Sequence, residues 1–270
     1  MTAPVVATIS DVTITGGNAV FGGGVEVNSA SGNPALHMTG DAVMNNSATR
    51  EGGGIDFQSA SQGGTLTLSD SLVANNQLLD TGDPNVTGGG IVLSGGGTLT
   101  NVTVTGNSVN PTDTVGGGGT ENLGTAPVTI ASSTIEGNST ADSNVPGSGG
   151  NLSGNSFRLL DSIVAGGSGP AGRQNCGAPE ISLGHNLEDL NQCGLTGPGD
   201  QVNKNPMLGT LAPIPNAAST LALMPGSPGD QRRRRRLHDG NLHAAHARPA
   251  RSRAPAGVSV RYRRVRVRDA

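Results

Sequence analysis

Apolar residues recur along the chain in two columns. Ile9, Met38, Leu68, Leu99, Ile130 and Leu159 form the first, and Ile14, Val43, Val73, Val104, Ile135 and Val164 the second. Between the members of each pair stands one of Asp11, Gly40, Asp70, Asn101, Ser132 and Asp161, at successive steps of 29, 30, 31, 31 and 29 residues. A period of this length marks a repeat architecture. The flanking residues alternate apolar and polar, as in Thr65-Leu66-Thr67-Leu68 and Val102-Thr103-Val104-Thr105, which is the pattern of half-buried strands. The two columns are five positions apart, so a straight strand would turn one of them outward. Both are apolar, and a corner or bulge is therefore expected at the intervening Asp, Asn, Gly or Ser, residues that tolerate such a bend.

Each copy also carries a Gly cluster before a second candidate strand: Gly22 to Gly24 before Val25, Gly52 to Gly54 before Ile55, Gly88 to Gly90 before Ile91, and more weakly Gly116 to Gly119 and Gly147 to Gly150. Short strands separated by corners within some 30 residues describe one turn of a solenoid that stacks on its neighbours at about 4.8 Å. The expected fold is all-β, a right-handed single-stranded parallel β-helix (β-solenoid) of about six coils, with the twelve column residues as its inward core. Gly runs and β-branched alternation are poor helix material, which disfavours a helical repeat. A β-sandwich accounts for the strands but not for the fixed period. Six positions after the anchors stand Gly17, Asn46, Asn76, Asn107, Asn138 and Gly167. In a solenoid the four Asn stack, and their amides read as a structural hydrogen-bonded ladder rather than a ligand site.

Composition narrows the picture. With three Phe, one Tyr and no Trp in 270 residues, an aromatic-rich core is excluded, while 44 Gly suit many tight corners. The formal charge of -3 conceals two unlike parts: four basic against 18 acidic residues before position 231, and 13 Arg against two Asp from there on. No apolar run is long enough to span a bilayer, and Met1 to Ser10 lacks the features of a signal peptide. Because the chain starts inside a coil without a cap, upstream coils and an export signal are expected to precede it. The domain reading is coils over 1–168, a disulfide-bearing C-terminal cap segment over 169–230, and a basic tail without fixed structure over 231–270.

Gly-Gly-Gly-Ile (88 to 91) and Val-Ala-Asn-Asn (73 to 76) resemble repeats of polymorphic outer-membrane proteins and of bacterial right-handed parallel β-helix repeat proteins. The stretch from Leu160 to Asp230 resembles the C-terminal region of choice-of-anchor Q domain proteins. The matching segments are Leu-Asp-Ser-Ile-Val-Ala (160 to 165), Asn175-Cys176, Ser-Leu-Gly-His-Asn-Leu (182 to 187), Cys-Gly-Leu-Thr-Gly-Pro-Gly-Asp (193 to 200), Asn205-Pro206 with Leu208-Gly209, and Leu-Met-Pro-Gly-Ser-Pro (223 to 228). The resemblance implies an exported, commonly surface-associated protein of this fold, in a family mostly without assigned chemistry. Past Pro228 the chain departs from the family's pattern into Arg232 to Arg236. Codons permitted for Val260 to Arg268, read one base on, spell Cys-Asp-Ile-Gly-Ala-Tyr-Glu-Phe, the type of close the family has. The tail is accordingly read as a frame-shifted ending, and coding DNA with codons incompatible with that shift would remove the idea.

Candidate chemistry is sparse. Cys176 and Cys193 have no His or Cys at ligand spacing, so a disulfide is favoured over a metal site. Asp11, Asp70 and Asp161 recur at one phase but are interrupted by Gly40, Asn101 and Ser132, and read as corner residues rather than a catalytic set. Only Arg50 and Arg158 lie in the coils as candidate bases. Asp80, Asp83 and Asp113 are candidates for weak Ca²⁺ binding, with solvated loop residues as the plain alternative. His37 and His185 are isolated, and His238, His243 and His246 fall in the tail of doubtful frame. No catalytic residue, cofactor or metal is assigned. The expected function is a non-catalytic structural or adhesive segment of an exported bacterial cell-surface protein, presenting loops such as Leu78 to Val86 and Asn107 to Val115 to surface glycans or proteins of host or neighbouring cells. The alternative is a carbohydrate-active β-helix enzyme of lyase or hydrolase type. A third reading, a nucleic-acid binder acting through the Arg tail, has electrostatics but no specific recognition behind it.

Overall fold

The corner demanded by the odd spacing is a single left-handed residue. Asp11, Gly40, Asp70, Asn101, Ser132 and Asp161 have φ of 56°, 74°, 50°, 56°, 49° and 51°. One residue in this region, which Asp, Asn and Gly enter at least cost, reverses the facing of the strand that follows, so both apolar columns point inward. His185, with φ 58°, is a seventh corner of the same kind.

The structure is a computed structural model and describes residues 5–79, 87–110, 116–141, 147–154, 156–170, 172–214, 217–229 and 265–268. Its short strands pair in parallel with their counterparts one period away and fall into four stacked sheets. Sheet A runs Val6–Ser10, Ala35–Thr39, Thr65–Ser69, Gly96–Thr100, Val128–Ala131, Phe157–Leu160, Ile181–Gly184. Sheet B runs Thr13–Thr15, Ala42–Met44, Leu72–Ala74, Thr103–Thr105, Thr134–Glu136, Ile163–Ala165, Leu187–Glu188. Sheet C runs Asn18–Phe21, Ser47–Glu51, Gln77–Leu78, Ser108–Val109, Ser139–Thr140, and sheet D runs Val25–Ser29, Ile55–Ser59, Ile91–Leu93, Thr120–Asn122, Leu152–Gly154. The chain visits A, B, C and D, then returns to A one rung further on.

This is a β-solenoid of about five turns, slightly fewer than the six expected. The sixth copy keeps its A and B strands, but the remainder of that turn is reduced to the single bridges Ser139↔Ser168 and Leu152↔Cys176. Gly166, Gly167, Gly169, Pro170 and Gly172 crowd this segment, and such residues weaken continuous strand pairing.

Register carries the core. Ile9 pairs with Met38, Met38 with Leu68, Leu68 with Leu99, Leu99 with Ile130, and Ile130 with Leu159. Ile14, Val43, Val73, Val104, Ile135 and Val164 pair in the same way along sheet B. These residues join Val25, Ile55, Phe57, Ile91 and Leu93 from sheet D in one continuous buried cluster, against which the half-buried Ile9 packs at the first rung. A smaller stack of Ala48, Leu78 and Val109 lies on sheet C.

Two additions flank the coils. An antiparallel hairpin, Leu208–Ile214 and Ala217–Leu223, packs its second strand on the outer face of sheet B, where the Thr220 and Thr103 hydroxyls meet at 3.0 Å. Leu72 and Ala74 occupy the outward positions of that sheet and are nonetheless buried, which explains why Leu72-Val73-Ala74 does not alternate. At the first rung, Val265–Arg268 extends sheet D in parallel, Val265 opposite Val25 and Arg266 opposite Glu26. The rest of the tail lies outside the described residues. No helix among the described residues is long and apolar enough to cross a membrane.

Candidate functional site

The Asn column sits where sheet B turns into sheet C. One residue earlier stand Gly16, Asn45, Asn75, Gly106 and Gly137, all left-handed, so each Asn that follows is directed into the stack. Asn46 Oδ1 accepts from Gly17 N–H at 2.9 Å; Asn76 Oδ1 accepts from both Asn46 N–H and Asn46 Nδ2 at 3.0 Å. Asn107 and Asn138 repeat the geometry, and each Nδ2 also donates to a carbonyl of the preceding rung, as Asn107 does to Val73 O at 3.0 Å. The ladder continues through Asn151 and Asn175, which the sequence period does not reveal because both fall outside the repeated phase. It ends on carboxylates: Asn175 Nδ2 donates to Asp189 Oδ1 at 2.7 Å and Glu188 Oε1 at 3.3 Å. A second column, one residue after the sheet A corner, links Asp41 to Ser71 and Ser133 to Ser162, Asn186 and Asp200. Both columns satisfy buried backbone groups between rungs, a structural task.

Cys176 and Cys193 form a disulfide, and both sulfurs are buried in the end of the main core beside Leu195. The bridge closes a loop of sequence separation 17. In the chain-entropy account a loop of this size contributes about 3 kcal/mol. Converting both cysteines to alanine is therefore expected to lower the unfolding free energy by about that amount in urea titrations, and added reductant is expected to remove the difference by opening the bridge in the parent chain while leaving the variant unchanged.

The recurrent acids of the sheet A corner are not gathered into a site. They lie on separate rungs, Asn101 donating to Asp70 Oδ1 at 2.6 Å. Arg158 projects from the exposed outer face of sheet A, where His37 also lies, and His185 occupies an exposed corner. Arg50 places its guanidinium 5.5 Å from the centre of the Phe21 ring. Asp80, Asp83, Asp113, His238, His243 and His246, and most of the two long loops, lie outside the described residues. Among the described residues no group of three or more His, Cys, Asp or Glu side chains is placed to hold a metal ion.

The unforeseen feature is a stack of buried carboxyl groups at the turn from sheet C to sheet D. Glu26 pairs in register with Asp56, Asp56 with Val92, and Val92 with Glu121, all at the position that faces away from the core. All three acids are at most 3% exposed. Glu51, at the end of its sheet C strand, joins them: the Gln58 amide donates to Glu51 Oε2 and to Asp56 Oδ1, each at 2.8 Å. The Thr87 hydroxyl and the Gly117 N–H donate to Glu121 Oε2. Asp56 Oδ2 has no partner among the described residues. Burial, then the neighbouring charges of Glu51 and Glu26, pushes the Asp56 carboxyl up to about 8. Burial likewise raises Glu121 to about 7, with Glu51 adding to it against the hydrogen bonds from Thr87 and Gly117. Glu51 is raised by burial and held back by the Arg50 charge. At the other end, burial raises Glu180 to about 8, opposed by the Phe157 N–H. The sequence signal was an acid two places after the Gly cluster, in Val25-Glu26, Ile55-Asp56 and Thr120-Glu121. Strand alternation alone places such a residue on the outer side of a sheet, which is ordinarily wet.

Comparison of the chain with protein-family models, with curated proteins and with solved structures returned no match.

Proposed function

We propose that this chain is a non-catalytic structural or adhesive segment of an exported bacterial cell-surface protein. The observation that carries the reading is the placement of the insertions. In the first two rungs sheet C turns into sheet D through short Gly corners, Gly22 to Gly24 and Gly52 to Gly54, whereas in the next three rungs the same connection runs from Leu78 to Ile91, from Val109 to Thr120 and from Thr140 to Leu152. Three consecutive rungs thus carry a longer connection at one corner while the sheets on either side stay in register, an arrangement suited to a rigid scaffold that displays loops. The disulfide is consistent with folding in an oxidising compartment, and the resemblance of residues 160 to 228 to choice-of-anchor Q domain proteins supports export and surface attachment.

The test is retention of the chain on a panel of surface polysaccharides and on intact cells. Binding is expected, and it is expected to disappear when residues 79–86 and 111–115 are replaced by three-residue Gly corners while the unfolding midpoint is kept. Binding that survives the shortening, or no binding to any surface, overturns the adhesive role. The enzyme alternative rests on the closeness of Glu51 and Asp56, which share the Gln58 amide. Release of reducing or unsaturated ends from acidic glycans, abolished by Asp56→Asn, would establish it in place of the adhesive role.

A further inference from the structure

We propose that the stacked carboxyl groups where sheet C turns into sheet D form a pH-operated latch, closed while Asp56 and Glu121 carry their protons and opened by their loss. The inference does not depend on what the loops bind. It begins from register. Glu26, Asp56 and Glu121 stand in one column of sheet D, with Glu26 and Asp56 on adjacent rungs. Neighbouring strands are about 4.8 Å apart, and buried carboxylates that close suppress one another's ionisation.

The groups facing this column come from every strand around it. The strand Ser47–Glu51 brings Glu51 and Arg50, Ile91–Leu93 brings only the neutral Val92, and Leu152–Gly154 brings Ser153. Arg266 stands at the register position beside Glu26. Arg50 favours the charged form of Glu51, and that charge in turn disfavours ionisation of Asp56 on one side and Glu121 on the other. Negative charge at Glu51 and Glu26 thus adds to burial in keeping Asp56 protonated, and charge at Glu51 does so for Glu121.

The position gives this chemistry a consequence. Thr87 and Gly117, which donate to Glu121, stand within two positions after segments 80–86 and 111–115 along the chain. Ionising Asp56 and Glu121 in place forces additional negative charge into a dry column, and opening the corner to water relieves it.

The sign follows from proton linkage. Both groups bind their protons more tightly in the closed corner than in the open one, where carboxyls titrate near their ordinary 3.8 and 4.5. The closed state is therefore most favoured at low pH and loses ground as pH rises from about 4.5 toward about 8. Above that the closed corner too has lost its protons and the dependence ends. One such group changes the opening equilibrium about tenfold per pH unit inside its window.

Hydrogen exchange on the full chain reads this directly. Protection of the amides of Ile91–Leu93 and of 116–122, corrected for the intrinsic pH dependence of exchange, is expected to fall at least about tenfold between about pH 5 and about pH 8 and then to level off. The sheet A strand Thr65–Ser69 is expected to keep its protection over the same range. Asp56→Asn and Glu121→Gln preserve shape without a titrating proton; each alone is expected to reduce the response, and the two together to flatten it. Burial also raises Glu180, but it lies at the other end, so a response that survives in the double variant belongs elsewhere and overturns the latch. Unchanged protection at the corner across the range overturns it as well, as does loss of protection in sheet A in step with the corner.

Discussion

Replacing Asn107 by alanine is expected to lower the unfolding free energy by about 4 kcal/mol, which urea titration measures directly. Asn107 is fully buried in the middle of the ladder. Its Oδ1 accepts from Asn76 N–H at 2.9 Å and from Asn76 Nδ2 at 3.0 Å, and its own amide donates to Val73 O and Asn138 Oδ1. Truncation strands two buried donors on Asn76 and removes a donor from two acceptors, and each stranded group costs about 1–3 kcal/mol, partly recovered by relaxation. Asn110→Ala, at an exposed position just past the sheet C strand, is the control and is expected to change stability by less than about 0.5 kcal/mol. Equal effects of the two substitutions would mean that the ladder does not hold the rungs together.

Leu68→Ala is expected to cost about 4 kcal/mol by the same measurement, toward the upper part of the range for a buried leucine. Leu68 is fully buried between Met38 on one rung and Leu99 on the next. The rungs are held at a fixed spacing by the hydrogen bonds of four sheets, so the walls of the new cavity have little freedom to close around it. Thr67→Ala, on the outer face of the same strand, is expected to change stability by well under 1 kcal/mol. A loss for Leu68→Ala no greater than that for Thr67→Ala would contradict a single stacked core.

The parts of this fold that can be read from the chain are those set by local conformation and repeated at a fixed phase. Asp11, Asp70, Asn101 and Asp161 mark their own corners because few residue types enter the left-handed region cheaply, and the five-residue offset between the columns has no other resolution. What could not be read depends on what lies next to a residue in space. His185 makes the same corner as Asp161 but follows it too closely for the period to include it. Asn151 joins the ladder from a different part of its coil, after the chain has returned through a long insertion. Leu72 and Ala74 face outward and are buried only because a hairpin from more than a hundred residues away lies over them. For the carboxyl column the difficulty was of another kind. Alternation places Glu26, Asp56 and Glu121 on the outer side of sheet D, and outer sides are ordinarily wet. Nothing in the residue types announces that this outer side is dry.

The uniform direction of pairing in the four sheets has a mechanical consequence. Each coil is tied to the next by backbone hydrogen bonds that all run along the stacking axis. Tension applied along that axis at one end loads a single layer of bonds at a time, so the stack peels coil by coil at modest force. Traction across the axis must shear many layers together. A fibre of this construction is tough sideways and yields gradually lengthwise, so the point of attachment decides whether a pulled molecule holds or unwinds.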